Sequence, residues 1–282
     1  MKANRKWLKN IPVQIVLILL ALIMIYPLIW MLFGSFKSKA DFFQGSFNLI
    51  PSTFYWKNYA DGWAGFGGIP FGQFIKNSAV LSILVTIGTV LSSAWVANGF
   101  ARIEFKGRKI WFAILMVTLM LPVQLLMVQR YIIFFHLKWI NTILPIVVPA
   151  FLAYQPFFVF LLVQFIKTVP RELDEAAYID GCSKIGVFIK IILPLTRPAL
   201  ITCTIFAFYW SWDDFINPLL YLNKPLNYTV SLALRLFNDP AAGSNWGAMF
   251  AMALVSLLPV IIVFLMFQKY IVEGISTQGL KG

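Results

Sequence analysis

Residues 170–200 read PRELDEAAYIDGCSKIGVFIKIILPLTRPAL. Three acidic residues follow Pro170 closely, which is typical of a helix N-terminus because carboxylates oppose the positive end of the helix dipole. Gly181 permits a turn that other residues resist. A second apolar set at helical spacing then runs up to Pro194, where a helix is interrupted. The stretch therefore predicts two short helices that meet at Gly181.

Apolar runs lie on both sides of this stretch and recur along the chain. A helix that crosses a hydrocarbon core of roughly 30 Å needs about 20 apolar residues, because each residue adds about 1.5 Å. The runs are longer than barrel strands and lack strict alternation, which favours helices. Six such runs occur, at residues 11–33, 74–100, 110–128, 143–166, 199–222 and 248–270. The predicted fold is all-α, one integral membrane domain over residues 1–282 with six transmembrane helices.

The composition excludes several other classes of protein. Hydrophobic residues make up 60% of the chain and charged residues 12%, whereas soluble domains carry about 25% charged residues. The net charge of +12 comes from short basic clusters between apolar runs, a pattern that does not favour nucleic-acid binding. With two cysteines and one histidine, no Cys/His metal site of the usual ligand count is expected within this chain.

The distribution of basic residues predicts the orientation in the membrane. Cytoplasmic connections retain an excess of Lys and Arg. With the N-terminus inside, the inner segments hold 15 Lys and Arg residues and the outer connections hold 7. We therefore expect both termini in the cytoplasm, a long inner loop at residues 167–198 and a long outer loop at residues 223–246.

The inner loop also carries a spaced motif. Its pattern is EAA, three residues, Gly, nine residues, Ile, any residue and Leu-Pro, and its members here are Glu175, Ala176, Ala177, Gly181, Ile191, Leu193 and Pro194. This pattern resembles, without insertion or deletion, the EAA loop of binding-protein-dependent ABC importer permeases. Without that resemblance, the loop would be interpreted as a solvated elbow along the membrane surface.

The resemblance covers nearly the whole chain and points to the MalG-like branch, which serves oligosaccharides and related sugars. The stretches that carry it are 98–102, Gly107-Arg108, Leu121-Pro122, Asn141-Thr142, 212–215, Pro218-Leu219 and the ending 273–282. Two departures occur: Cys182 stands where Ala is usual, and Gln278 stands where a small residue is usual. The second departure leaves the contacts of the tail open.

The resemblance implies a multi-subunit importer in the cytoplasmic (inner) membrane. Its other members would be a second homologous permease, two cytoplasmic ATPase subunits and an extracellular solute-binding protein. This chain has no Gly-x4-Gly-Lys-Ser/Thr loop, so ATP and Mg²⁺ are expected on the partner ATPase and no cofactor or catalytic residue on this chain. The sequence leaves open whether the second permease is identical or a paralogue, and which sugar is carried.

The resemblance also assigns roles on the cytoplasmic side. The residues expected to couple to the ATPase are Glu172, Asp174, Glu175, Ala176, Ala177, Asp180, Gly181, Ile191, Leu193 and Pro194. The tail residues expected to contact the ATPase are Gln278, Gly279 and Lys281. Stabilisation of the helix dipole alone is the alternative role for the acidic residues.

A sugar path needs polar groups for hydroxyls and aromatic faces for ring CH groups. Candidates within the apolar segments are Gln124, Tyr154, Gln155, Trp210, Trp212 and Asp213. Asp214 is a further candidate, because paired acids at the end of a span are costly and often functional. The outer-loop residues expected to contact the binding protein are Asn227, Tyr228, Asn238 and Asp239. Interhelical hydrogen bonds and interface aromatics are the alternative roles for the path residues.

Two other classes of function also have to be compared with the sequence. A secondary sugar transporter or channel would show the same hydropathy, and the Pro-rich fourth span favours it. No span, however, has a central pair of ionisable residues suited to proton or sodium coupling. An intramembrane enzyme would need a catalytic set that the lone His136, in a predicted outer loop, does not supply.

The orientation gives the first testable prediction. Cysteines introduced at Lys106 and Lys281 should resist an impermeant maleimide in intact cells, because the charge distribution places both in the cytoplasm. A cysteine at Lys57, in a predicted outer connection, should react and serves as the control. Labelling of either inner position from outside would show that the orientation is inverted.

Overall fold

The computed structural model describes residues 11–44, 48–238 and 244–279, without the side chains of residues 11, 43, 44 and 269–279. These residues fold almost entirely as helices, and the described part contains one isolated antiparallel bridge, Phe66 with Ile69. The chain divides into two compact units. The small unit comprises residues 1–72 and 234–257, and the main unit comprises residues 73–233 and 258–282.

Fifteen α-helices make up the described chain. The first eight are α1 Ile11–Gly34, α2 Lys39–Gln44, α3 Lys57–Ala64, α4 Phe71–Arg102, α5 Arg108–Met120, α6 Met127–His136, α7 Leu144–Ala150 and α8 Pro156–Thr168. The others are α9 Glu172–Ile179, α10 Lys184–Val187, α11 Leu193–Leu195, α12 Arg197–Asp213, α13 Ile216–Tyr221, α14 Val230–Leu234 and α15 Trp246–Gly279. A π-turn lies at Phe188–Ile192, and 3-10 turns lie at Val123–Leu126, Pro225–Asn227 and Arg235–Asn238.

Three helices are each long and apolar enough to cross a membrane unbroken. They are Pro12–Gly34 of α1, all of α4, and Trp246–Gln268 of α15. They match the first, second and sixth predicted spans. Two bent helix pairs raise the total to at most five by length and composition. The count of six therefore stays a prediction.

The third predicted span, residues 110–128, is broken in the structure. The chain turns by 99° between α5 and the following 3-10 turn with α6. Pro122 disfavours the helical conformation of the preceding residue, and Leu121 accordingly has an extended ψ of 124°. The prediction of one continuous helix was wrong here, because hydropathy does not register a proline break.

The fourth predicted span, residues 143–166, is also interrupted. Helix α7 ends at Ala150, and α8 begins at Pro156, after a loop in which Ala153 has a positive φ of 52°. Ser92 of α4 holds this loop, because its hydroxyl donates to the Ala150 carbonyl at 2.8 Å and accepts from the Ala153 N–H at 3.1 Å. The loop's backbone polar groups thus find partners away from water.

The fifth predicted span, residues 199–222, bends after Asp213. The carboxylate of Asp214 accepts hydrogen bonds from the backbone N–H of Asn217 at 3.1 Å and from its side-chain amide at 2.7 Å. The Asp214 carbonyl accepts from the Ser231 hydroxyl at 2.7 Å. These bonds satisfy the chain where α12 stops and α13 starts.

The core of the main unit lies between α4, α8 and α12. Small buried residues recur at helical spacing on α4 and α12: Ala94, Ala97, Ala101, Ala199, Cys203 and Ala207. They allow close approach of the larger residues of α8, which are Phe158, Val159, Leu162, Val163 and Ile166. Such small-residue stripes are how membrane helices maximise packing where no hydrophobic effect drives them together.

In the small unit, hydrogen bonds hold the segment that follows α1. The buried Asn58 amide donates to the carbonyls of Ser35 at 2.9 Å and Lys37 at 2.8 Å. The Lys37 ammonium donates to the Asn48 carbonyl. Hydrogen bonds from Ser52 and from the Ser38 backbone lower the pKa of Asp41. These contacts give the segment between α1 and α3 a defined conformation.

Candidate functional site

The inner loop contains two short helices that meet at Gly181, as the sequence predicts. Helix α9 ends in two backbone bonds: the Gly181 N–H donates to the Tyr178 carbonyl at 3.1 Å, and the Cys182 N–H donates to the Ala177 carbonyl at 2.9 Å. This pair is the Schellman motif, which requires a left-handed residue. Gly181 supplies it with a φ of 81°. We call residues 172–195 the elbow.

The second half of the elbow starts and stops at identifiable side chains. The Ser183 hydroxyl caps α10 by accepting from the Gly186 N–H at 3.1 Å. The helix then widens into the π-turn before Pro194, which lacks an N–H for the regular helical bond. The Thr196 hydroxyl donates to the Ile192 carbonyl at 2.8 Å. The chain therefore turns by 77° into α12 with its backbone groups satisfied.

The two faces of α9 differ. Asp174 and Ala177 are buried against the main unit, at 7% and 6% exposure. Four other predicted coupling residues of the elbow are exposed: Glu172, Glu175, Ala176 and Asp180. Large apolar side chains accompany them, with Ile179 87% exposed. The outer face of α9 therefore combines carboxylates with apolar surface.

The structure thus separates residues that the sequence analysis had grouped as one docking set. Asp174 and Ala177 support α9 from behind instead of forming its outer surface. Pro194 and Gly181 are exposed, while Ile191 and Leu193 are half-buried against the core. Because successive helix positions rotate by about 100°, acids two residues apart, such as Glu172 and Asp174, point to opposite sides.

Arg102, to which the sequence analysis gave no role, lies behind α9. Its side chain is 7% exposed, and its Nε is 3.4 Å from the Asp174 carboxylate. Its Nη2 donates to the carbonyls of Ile166 at 3.0 Å and Val169 at 2.7 Å. In the sequence, Arg102 is visible only as an arginine at the end of an apolar span. Its contacts could not be predicted, because its partners lie 64 to 72 positions away.

A cavity of about 620 Å³ lies within the main unit. Four of the predicted path residues line it: Tyr154, Gln155, Trp210 and Asp213. Gln124 does not line it, although its neighbour Val123 does, and Trp212 is buried with its ring stacked on Phe208. The walls also include Arg130, Ser211, Asp214 and Asn217. A second cavity of about 220 Å³ shares Arg130, Tyr154 and Asn217 with the first.

Two polar atoms in the wall of the larger cavity have no hydrogen-bond partner among the described residues. They are the Oε1 of Gln155 and the Oγ of Ser211. The other end of the Gln155 amide is fixed, because its Nε2 donates to the Tyr154 hydroxyl at 2.7 Å. A buried polar atom without a partner is costly. Both atoms are enclosed within the wall, whereas Asp213 is an exposed carboxylate among the lining residues and offers acceptor oxygens to a ligand with hydroxyl groups.

Aromatic and charged groups complete the cavity. Trp210, which is 42% exposed, packs against Phe157 and Phe158 at ring distances of 5.2 and 5.1 Å. The guanidinium of Arg130 lies 5.8 Å from the centre of the Tyr154 ring. The packing holds the Trp210 ring while leaving part of its surface free. The cavity thus has a rigid aromatic wall beside its hydrogen-bonding groups.

The outer-loop candidates are placed unequally. Asn227 is fastened inside the main unit, since its amide donates to the Asn141 carbonyl at 3.0 Å. The Tyr228 carbonyl accepts from the Asn77 amide at 3.0 Å. Asn238 is exposed at the end of a 3-10 turn. Asp239 and Lys281 lie outside the described residues. Helix α15 extends to Gly279, but the side chain of Gln278 is not described.

Three long apolar helices and two bent apolar helix pairs are typical of a multi-pass membrane protein. A family model described as "Binding-protein-dependent transport system inner membrane component" matches residues 88–277. The chain belongs to this family of ABC importer permease subunits.

Relatives match over nearly the full length. The chain is 35% identical to the probable ABC transporter permease protein YurM of Bacillus subtilis (strain 168), over 100% of this chain and 92% of that protein. It is 33% identical to the trehalose/maltose transport system permease protein MalG of Thermococcus litoralis, over 98% of each chain. It is 32% identical to the arabinooligosaccharides transport system permease protein AraQ of Halalkalibacterium halodurans, over 93% of each.

A solved structure confirms the fold. A chain of a bacterial ABC transporter involved in the import of the acidic polysaccharide alginate superposes with a TM-score of 0.81. The match covers 96% of this chain and 99% of that chain, at 21% sequence identity. The all-α permease fold predicted from the sequence is therefore correct.

Gly181 gives a prediction about the elbow. A Cβ added there would meet no atom within 4 Å, so Gly181→Ala introduces backbone strain without a clash. We expect this strain to loosen the elbow by about 1 kcal/mol. The measurement is hydrogen exchange, which should become faster at the amides of residues 181 and 182.

Two variants control for side-chain size. Asn tolerates the left-handed conformation, so Gly181→Asn should exchange more slowly than Gly181→Ala. Gly99→Ala, at another glycine whose added Cβ meets nothing, should leave the elbow unchanged. Equal exchange in the two Gly181 variants would contradict the assigned backbone role.

Proposed function

We propose that this chain is a transmembrane permease subunit of an ATP-binding-cassette importer that carries an oligosaccharide or a related sugar across the cytoplasmic membrane. Membership of the binding-protein-dependent family supports the importer assignment. The sugar assignment is supported by the names of full-length relatives, which include transport proteins for trehalose and maltose, arabinooligosaccharides and diacetylchitobiose. The remaining question is which part of this chain meets the sugar.

The larger cavity is the observation that carries the sugar assignment. Sugars present both donors and acceptors on their hydroxyl groups and an apolar face on the ring. The cavity offers the exposed carboxylate of Asp213 as an acceptor and the free surface of Trp210 as an apolar face. The volume of about 620 Å³ suits one or two sugar rings, since small-molecule sites measure roughly 300 to 1,000 Å³. The sugar path thus runs through this subunit.

The outer face of α9 supplies the coupling to ATP. An amphipathic helix gains affinity when its apolar side enters a groove of a partner. Ile179 provides exposed apolar surface, and Glu172, Glu175 and Asp180 provide charge around it. We assign this face to one of two cytoplasmic ATPase subunits, which bind ATP and Mg²⁺. The tail residues Gln278, Gly279 and Lys281 are assigned to the same partner, on the resemblance alone.

The complete importer would contain a second permease and an extracellular binding protein. In the outer loop, Asn238 is the exposed candidate for contact with the binding protein. Asn227 and Tyr228 fasten the loop to the main unit, and Asp239 is assigned to the contact by resemblance. Both termini are assigned to the cytoplasm because of the charge distribution.

The cavity assignment predicts a kinetic change. In proteoliposomes that contain the complete importer, Asp213→Ala should raise the KM for sugar by roughly tenfold or more, because a hydrogen bond to a charged group contributes about 1.5 to 3 kcal/mol. Trp210→Ala should also raise the KM, while Trp210→Phe should preserve part of the affinity because a ring remains. The assay measures uptake of labelled maltose and arabino-oligosaccharides delivered by the binding protein.

Trp111→Ala is the matched control, since this tryptophan is 59% exposed and does not line the cavity. Its KM should equal that of the wild type. If Asp213→Ala and Trp210→Ala also keep the wild-type KM and maximal rate, the sugar does not contact this cavity.

The coupling assignment predicts a loss of association. Glu175→Lys reverses a charge on the outer face of α9, and we expect the ATPase to dissociate from the permease because a favourable contact becomes repulsive. Stability of the membrane domain should change by less than about 0.5 kcal/mol, as for most exposed substitutions. Co-purification of the ATPase at increasing salt measures the effect.

Glu104→Lys is the control for this experiment. Glu104 is another exposed glutamate that we assign to the cytoplasmic side, but it lies outside the elbow. The Glu104→Lys variant should retain the ATPase. Retention of the ATPase by Glu175→Lys at all salt concentrations would contradict the assignment of the outer face of α9 to the ATPase.

A further inference from the structure

One buried guanidinium joins three helices at the cytoplasmic side of the main unit. Arg102 is the last residue of α4. It donates to the Ile166 and Val169 carbonyls at the end of α8, and its Nε is 3.4 Å from the Asp174 carboxylate on α9. Both charged side chains are less than 10% exposed. Arg102 therefore connects the elbow to two helices of the membrane bundle.

The charges explain why this contact is stable in a buried place. The last carbonyls of a helix carry partial negative charge, which a cation stabilises. Ile166 and Val169 are at that end of α8, and Asp174 adds a full negative charge on the other side of Arg102. A buried charge must be paired to persist. The guanidinium is thus held between α8 and α9.

Arg102 contacts the two helices in different ways. It meets α8 through two directional hydrogen bonds. Towards α9 the contact is an ion pair without a hydrogen bond, because Arg102 Nε and Asp174 Oδ1 have no hydrogen-bond partner among the described residues. Coulomb attraction falls only as the inverse of distance, so it persists through small displacements. The attraction between Asp174 and Arg102 therefore persists when α9 tilts, and the two hydrogen bonds carry the pull on Arg102 to the end of α8.

The position of Asp174 on α9 puts this link directly behind the docking face. Helix α9 has eight residues, and Glu172 and Glu175 flank Asp174 while facing outward. On the inner face, Ala177 joins the core that includes Ala101, next to Arg102. When a partner displaces the outer face of α9, the displacement is therefore transmitted to Arg102, which lies behind α9 at a distance of about one helix diameter.

We propose that Arg102 and Asp174 are a positioning pair through which movement of α9 is passed to α4 and α8 in each transport cycle. This inference rests on the proposed importer function and adds the residues that carry the motion inward. Neither residue touches sugar or ATP. Their role is to make α4 and α8 move whenever the elbow moves.

The test separates transmission of motion from mere stability. The double variant Arg102→Met with Asp174→Leu removes both charges, and replacing a buried ion pair by apolar residues usually preserves stability. In the reconstituted importer, we expect normal assembly and basal ATP hydrolysis. The amount of maltose or arabino-oligosaccharide imported per ATP hydrolysed should fall about fivefold or more, the size of an ordinary coupling between sites.

Glu104→Gln is the matched control, because Glu104 forms an exposed ion pair with Arg171 at 3.8 Å. It should keep the wild-type ratio of sugar to ATP. Arg102→Lys should give an intermediate ratio, because one ammonium cannot reproduce the planar fork that reaches α8 and α9 together. A wild-type ratio in the double variant would overturn the proposal.

Hydrogen exchange of Asp174→Asn in the membrane provides a second measurement that does not depend on assembly of the double variant. We expect faster exchange in α9 and, at the same time, in the last turn of α8, because the two are linked through Arg102. Faster exchange in α9 with no change in α8 would overturn the proposal. Absence of sugar uptake by the wild-type importer would instead count against the proposed function.

Discussion

Backbone polar groups inside a bilayer have no water to bind, and this constraint shapes the whole main unit. Non-helical backbone at membrane depth is tolerated only where it is buried in protein or lines a water-filled cavity. The three helix breaks follow this rule. Leu121 and Val123 at the first break, Gln155 at the second and Asp214 at the third all line the same cavity. The irregular segments therefore converge on one place.

Two of the three breaks also have side-chain partners. Ser92 holds the loop between α7 and α8, and the Asp214 carboxylate accepts hydrogen bonds from Asn217 where α12 ends. These bonds fix the backbone beside the cavity, whose lining includes the exposed carboxylate of Asp213. The constraint that shapes the fold thus also places polar residues around the cavity.

The sequence predicted features that depend on local pattern. The acids after Pro170 lie in the first turn of α9 and Gly181 has a left-handed backbone, as expected. Pro194, in contrast, lies inside the helical turn Leu193–Leu195, and the chain bends only after Leu195. Long unbroken helices followed from hydropathy. The broken spans did not, because a hydropathy window averages over Pro122 and Pro156, although both prolines were visible. Of the residues selected by type for a sugar path, Tyr154, Gln155, Trp210 and Asp213 line one cavity and Gln124 and Trp212 do not. Their contact with a sugar stays a prediction.

Features that depend on distant contacts could not be read from one sequence. Arg102 and Asp174 are 72 positions apart, and nothing local distinguishes Asp174 from its acidic neighbours. Ser211 and Asn217 could be recognised as residues of the site only from the cavity that they line. For the same reason the sequence could not distinguish the buried Asp174 from the exposed Glu175, since the direction of each side chain depends on where α9 packs.

The division of acids on α9 also explains why the elbow consists of two short helices instead of one long one. The first helix exposes Glu172 and Glu175 and turns Asp174 towards Arg102, which fixes its rotation. The second must bury Val187, Phe188 and Ile192 in the core. A continuous helix would tie these two rotations to one axis. The left-handed turn at Gly181 separates them, so the docking face and the core contact are set independently.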